Sequence, residues 1–78
     1  MLDVYVLSPE GTLYEGRADS VTLPGAAGRF TVLTGHAPII TVLEEGKVVC
    51  KSANGDSEFY SKGGFARVDS NKVTVCLE

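Results

Sequence analysis

Apolar and polar residues alternate along this chain in short runs, and each run closes on a turn former. Leu2, Val4 and Val6 fall on one side of an extended segment, with Asp3 and Tyr5 on the other. Ser20-Val21-Thr22-Leu23 and Lys72-Val73-Thr74-Val75 repeat the pattern, and Phe30 and Val32 share a face around Thr31. A period of two is the strand signature, and Val, Thr, Tyr and Phe suit a pleated, half-buried surface. The pattern predicts strands over roughly 2–7, 12–15, 17–23, 30–33, 39–43, 47–52, 57–60, 65–68 and 72–77. Between them stand Ser8-Pro9-Glu10-Gly11, Gly16, Pro24-Gly25, Gly28, Gly35, Gly46, Gly63-Gly64 and Ser70-Asn71. These breaks leave no uninterrupted stretch of the ten or so residues that a helix needs, so no helix longer than one turn is expected. Asn54-Gly55, between two strand-like runs, predicts a hairpin.

Many short strands at even spacing predict an all-β fold: a small two-sheet β-sandwich or flattened barrel of about nine or ten strands. At 78 residues the chain is one domain, 1–78, with no linker, repeat or low-complexity tract. A hydrophobic share of 44% supports one core and argues against disorder. No apolar run reaches the ~20 residues that cross a bilayer. The start, Met1-Leu2-Asp3-Val4, lacks the basic and apolar regions of a signal peptide, so a cytosolic protein is expected. Seven basic residues are dispersed among ten acidic ones, which argues against the basic stripe of a nucleic-acid binder and against direct binding to anionic lipid. Cys50 and Cys76 each sit in an apolar run and are expected as buried free thiols; two cysteines make neither a disulfide scaffold nor a zinc site.

Catalytic chemistry finds little support. His36, the single histidine, lies in Thr34-Gly35-His36-Ala37-Pro38 with no nucleophile or carboxylate motif around it, and a structural or interface role is expected. Adjacent Glu44 and Glu45 point to opposite faces of an extended chain and form a solvated turn rather than a carboxylate pair. Ser61-Lys62-Gly63-Gly64 has the composition of a phosphate loop without its spacing or its following helix. A modified lysine at a hairpin tip would make a lipoyl- or biotinyl-type carrier. Lys62 is the residue available for that alternative, and it lacks the usual acidic or methionine neighbours. No cofactor is expected.

The central segment runs Val21-Thr22-Leu23-Pro24-Gly25-Ala26-Ala27-Gly28-Arg29-Phe30-Thr31-Val32-Leu33-Thr34-Gly35-His36-Ala37-Pro38-Ile39-Ile40. It resembles the signature L-P-G-x-x-G-x-F-x-[VIL]-L-x-G-H-A-P of the epsilon subunits of bacterial F-type ATP synthases. Leu43, Gly46, Gly63-Gly64-Phe65-Ala66-Arg67-Val68 and Asn71-Lys72-Val73-Thr74-Val75 continue the likeness, and Val6-x-Ser8-Pro9-Glu10 with Leu13-Tyr14-Glu15-Gly16 opens it. Much of this motif reads as folding chemistry. Pro38 drives Ala37 extended and starts the next strand. Gly25 and Gly28 let a loop of small residues turn sharply, Gly35 marks a break, Gly63-Gly64 serves a close backbone approach or a bulge, and Phe30 and Phe65 are expected to fill the core.

The resemblance implies a non-catalytic rotor subunit of the central stalk, linking the gamma subunit to the c-ring for proton-driven ATP synthesis. It implies a place on the cytoplasmic face of the bacterial membrane, reached only through the complex. It assigns Ala26, Ala27, Gly28 and Arg29 to a c-ring-facing loop, where relatives often carry an acid at the position of Arg29. It assigns His36, Ile39 and Thr41 to a gamma-facing region. In the family, ATP binding and inhibition belong to a C-terminal helical hairpin beyond the strands seen here, so this sequence is expected to show neither.

Overall fold

The computed structural model describes residues 1–78 and contains nine strands and no helix. They are β1 (Leu2–Ser8), β2 (Gly11–Ala18), β3 (Ser20–Gly25), β4 (Gly28–Leu33), β5 (Ile39–Leu43), β6 (Gly46–Ser52), β7 (Gly55–Ser61), β8 (Gly64–Asp69) and β9 (Lys72–Leu77). They form one curled sheet in the order β2-β1-β9-β8-β5-β3-β6-β7, with β4 paired to β3 off that path. β1 and β9 are parallel; the other pairings are antiparallel. The sheet folds over where β5 meets β3, at the single pair Gly25↔Leu43. Its two ends, β2 and β7, approach across the opening, where Tyr14 and Phe59 stack edge to face at 6.0 Å.

Alternation puts one face of each strand inside. Leu2, Val4 and Val6 of β1 lie beside Val73, Val75 and Leu77 of β9, with Ala66 and Val68 of β8 next to them, all buried. Val21, Leu23, Val32, Val48 and Cys50 face them from the other half, and Leu43 completes the join. Phe30, expected to fill the core, is partly buried and packs on it from the margin.

The sequence boundaries shift at several strands, most at β2 and β3: residues 17–18, expected to open the 17–23 strand, end β2 instead, and β3 starts at Ser20. β2 runs through Gly16 to Ala18, because pairing with β1 continues there as Val4↔Gly16 and Leu2↔Ala18. A bulge beside Val6/Leu7 leaves Leu13 without an opposite residue. The β6–β7 hairpin forms, but its loop is Ala53-Asn54, with Gly55 already paired to Ser52. The pair with positive φ at both loop positions is Ser70-Asn71 (49° and 64°), between Asp69 and Lys72 of the β8–β9 hairpin.

Phe65 is the main correction: it does not fill the core and is 50% exposed. Ala66 and Val68 occupy the inward positions of β8, so Phe65 and Arg67 must face out. Gly64 lies so close to Cys76 on β9 that a side chain there would strike the Cys76 carbonyl oxygen, and its φ of +135° disfavours one independently. The second thiol also departs from expectation: Cys50 is buried, but Cys76 faces outward and is half-buried.

Candidate functional site

Four adjacent strands, β5, β8, β9 and β1, turn a continuous face to solvent. Register fixes what stands in each row across it. Val42 lies opposite Phe65, Phe65 opposite Cys76, and Cys76 opposite Leu7. This row is apolar over four strands, about 14 Å at ordinary strand spacing. The next row is Ile40, Arg67, Thr74 and Tyr5. Ile40 is 73% exposed and Val42 64%, the two most open large apolar residues in the chain. Beyond them the face turns polar, with Arg67 and Asp69 paired at 3.7 Å and Lys72 5.3 Å from the centre of the Tyr5 ring. Single exposed apolar residues are ordinary; a contiguous row with a charged rim marks a contact surface.

At one end of β5 lies the loop 34–38. A turn bond from His36 N–H to the Leu33 carbonyl (3.0 Å) shapes it, and the Gly35 amide donates to Asn71 Oδ1 at 2.7 Å. The imidazole of His36 is half-buried, with Nδ1 2.7 Å from the Ala37 carbonyl. No carboxylate or hydroxyl side chain bonds to it. Ile39 and Thr41 share the inward parity of buried Leu43 and are partly covered, so the open side of this strand belongs to Ile40 and Val42.

The far end of β4 carries the other sequence candidates. Ala26-Ala27 form the exposed two-residue tip between paired Gly25 and Gly28. Arg29 stands on β4 beyond the tip, and its Nη1 donates to the Lys47 carbonyl at 3.1 Å. The β3–β6 register, continued from Thr22↔Val49, would set Pro24 opposite Lys47. Proline has no N–H to offer, so the arginine supplies the donor. β4 separates this tip from the His36 loop by five residue steps, about 17 Å.

The phosphate-like run of the sequence is occupied by its own packing. Ser61, fully buried, donates to the Glu44 carbonyl (3.0 Å) and accepts from the Gly63 amide (3.1 Å). Glu44 and Glu45 are both exposed, and Glu45 accepts a hydrogen bond from Tyr60 that raises the pKa of its phenol. No three His, Cys, Asp or Glu side chains gather in a metal-binding group. The outward row was readable in outline, because Ile40-Thr41-Val42 and Phe65-Ala66-Arg67 alternate; which parity faces out was not.

The family model of the ATP synthase Delta/Epsilon chain beta-sandwich domain matches residues 1–78. The chain belongs to that family. An ATP synthase epsilon chain of Caulobacter vibrioides is 42% identical over 73 residues, covering 94% of this chain and 85% of the relative. One of Endomicrobium trichonymphae is 37% identical over 76 residues, 97% of this chain and 55% of the relative. This epsilon-type domain thus spans little more than half of such a relative. A chain of the Euglena gracilis mitochondrial ATP synthase, solved as OSCP/F1/c-ring in rotational state 1, superposes with a TM-score of 0.89 at 19% identity, over 97% of this chain and 49% of that one. A chain of the Tetrahymena thermophila mitochondrial ATP synthase central stalk/c-ring gives 0.79 at 15% identity, over 97% and 62%. At these identities the likeness establishes the fold.

Proposed function

We propose that this domain is a non-catalytic central-stalk subunit of an F-type ATP synthase, clamping the gamma subunit to the c-ring during proton-driven ATP synthesis. The observation that carries the reading is the apolar row Val42–Phe65–Cys76–Leu7 beside exposed Ile40, a preformed contact surface on a chain of the epsilon family. Gamma is assigned to this face, with the His36 loop at its β5 end; Ile39 and Thr41, expected on the gamma side, have the opposite parity to Ile40 and Val42 and are left out of it. The c-ring is assigned to the tip Ala26-Ala27-Gly28 with Arg29 behind it. The tip adjoins the Val42 end of the row, where the Ala26 N–H donates to the Val42 carbonyl at 2.9 Å, and the His36 loop lies at the other end of β4. On this reading the domain sits at the cytoplasmic face of the bacterial membrane through the complex; no helix here is long and apolar enough to cross a membrane.

The test is capture of gamma and c-ring from solubilised membranes of the source cell by the tagged chain. Val42→Glu buries a charge in the apolar contact and is expected to lower gamma capture at least tenfold. Arg29→Glu is expected to lower ring contact and spare gamma. Thermal midpoints recorded alongside show that each variant remains folded. Gamma capture unaffected by Val42→Glu, or equal null effects of His36→Ala and Arg29→Glu, would reject these assignments.

A further inference from the structure

We infer that Asn71 is a positioning residue, whose side-chain oxygen holds the Gly35 amide and thereby fixes the His36 loop in the shape that docks. The inference rests on the proposed gamma face and names what organises its margin.

The loop from Thr34 to Pro38 lies outside the strands, and its one internal backbone bond is His36 N–H to the Leu33 carbonyl. Gly35 carries a left-handed φ of +85°, and its amide donates outside the loop. The acceptor that meets it is 36 residues away along the chain: Asn71 Oδ1, at 2.7 Å. Asn71 is itself held on two counts. Its φ of 64°, following Ser70 at 49°, is set by the tight β8–β9 turn, and its backbone carbonyl accepts from Asp3 N–H at 2.8 Å. Because the Gly35 group is a donor, the amide of Asn71 must present oxygen and not nitrogen. A rigid hairpin tip thus reaches over to a loop that has little else to order it. The same loop carries His36 and leads into Ile39 and Ile40. Ordering it before docking removes an entropic cost that the complex would otherwise bear.

Substitutions separate this role from simple folding. Asn71→Gly keeps the left-handed backbone, and so the hairpin, while deleting the acceptor. Asn71→Asp keeps an acceptor oxygen on a residue that tolerates the same φ. In the full 78-residue chain, amide exchange by NMR is expected to show Gly35 protected in the parent and in Asn71→Asp, and exposed in Asn71→Gly, at similar thermal midpoints. Affinity for purified gamma subunit is expected to fall about two- to tenfold in Asn71→Gly, the worth of one such bond, and to recover in Asn71→Asp. Gly35 protection unchanged in Asn71→Gly overturns the inference. So does lost protection with unchanged affinity, provided that Val42→Glu still weakens binding; that result removes the role of Asn71 and leaves the docking face standing. If Val42→Glu also leaves binding unchanged, the docking face and the inference fall together.

Discussion

Phe65 and Ala66 are neighbours on β8, and the turn of one peptide unit puts the larger side chain in solvent and the smaller in the core. The usual cost of truncating a buried phenylalanine, about 3–5 kcal/mol, therefore does not apply. Phe65→Ala is expected to change unfolding free energy by less than about 1 kcal/mol and to weaken gamma binding at least tenfold, by chemical denaturation and binding assay respectively. Ser61 is the opposite case. Its hydroxyl serves the Glu44 carbonyl and the Gly63 amide from a fully buried position. Ser61→Ala is expected to cost about 1–3 kcal/mol, a visible fraction of the roughly 4–12 kcal/mol that a chain of this length holds. Cys50 gives a pH signature: burial pushes its thiol from 9.0 up to about 11. The folded state keeps the proton that the unfolded state releases, so this contribution is intact below about pH 9 and declines as pH rises toward 11. The stability difference between the parent and Cys50→Ala, followed by denaturation across that interval, is expected to shrink.

Elements here are short, and their joints carry as much information as their interiors. β8 and β9 close on each other at Gly64, where a methyl group has no room beside the Cys76 carbonyl and the φ of +135° is unfavourable for any other residue. Gly64→Ala is expected to lower stability by at least about 2 kcal/mol, measured as a reduced denaturation midpoint with unchanged slope. The β3–β4 hairpin shows a different kind of joint. Proline at position 24 cannot donate to the neighbouring strand, and Arg29 reaches back to the Lys47 carbonyl instead. That bond fixes the position of the arginine behind the loop tip while the residue remains exposed. The Ala26-Ala27 tip stands exposed at the end of this hairpin.

At the scale of the molecule, the curled sheet has two dissimilar surfaces: a closed valine-rich interior, and an outer face on β5, β8, β9 and β1 with an apolar row across it. The whole body measures 26 × 24 × 17 Å. Nucleotide binding by these 78 residues is not expected: the glycine pair Gly63-Gly64 leads into a strand, and Ser61 already occupies the Gly63 amide. Calorimetric titration of the chain with ATP should give no saturable heat, and addition to the catalytic head carrying gamma should leave hydrolysis nearly unchanged. Saturable binding or strong inhibition would place regulation within the sandwich itself.

Alternation by itself determined that the chain is all-strand, where most strands lie, and which residues of each strand travel together. It did so because the side-chain period of a strand is two whatever surrounds it. It also separated Phe30 with Val32 from their polar neighbours, and the motif around Gly35-His36-Ala37-Pro38 pointed to the family. Where both parities are apolar, as in Ile39-Ile40-Thr41-Val42-Leu43, alternation names two sets but not which one is inside. That sign came from pairing with β8 and from the corner Gly25↔Leu43, contacts between residues far apart in the chain. The same long-range register carried Phe65 outward, assembled Leu7, Cys76, Phe65 and Val42 into one row, and brought Asn71 to Gly35. A local pattern cannot encode such neighbours, because they exist only once separate strands have chosen their partners.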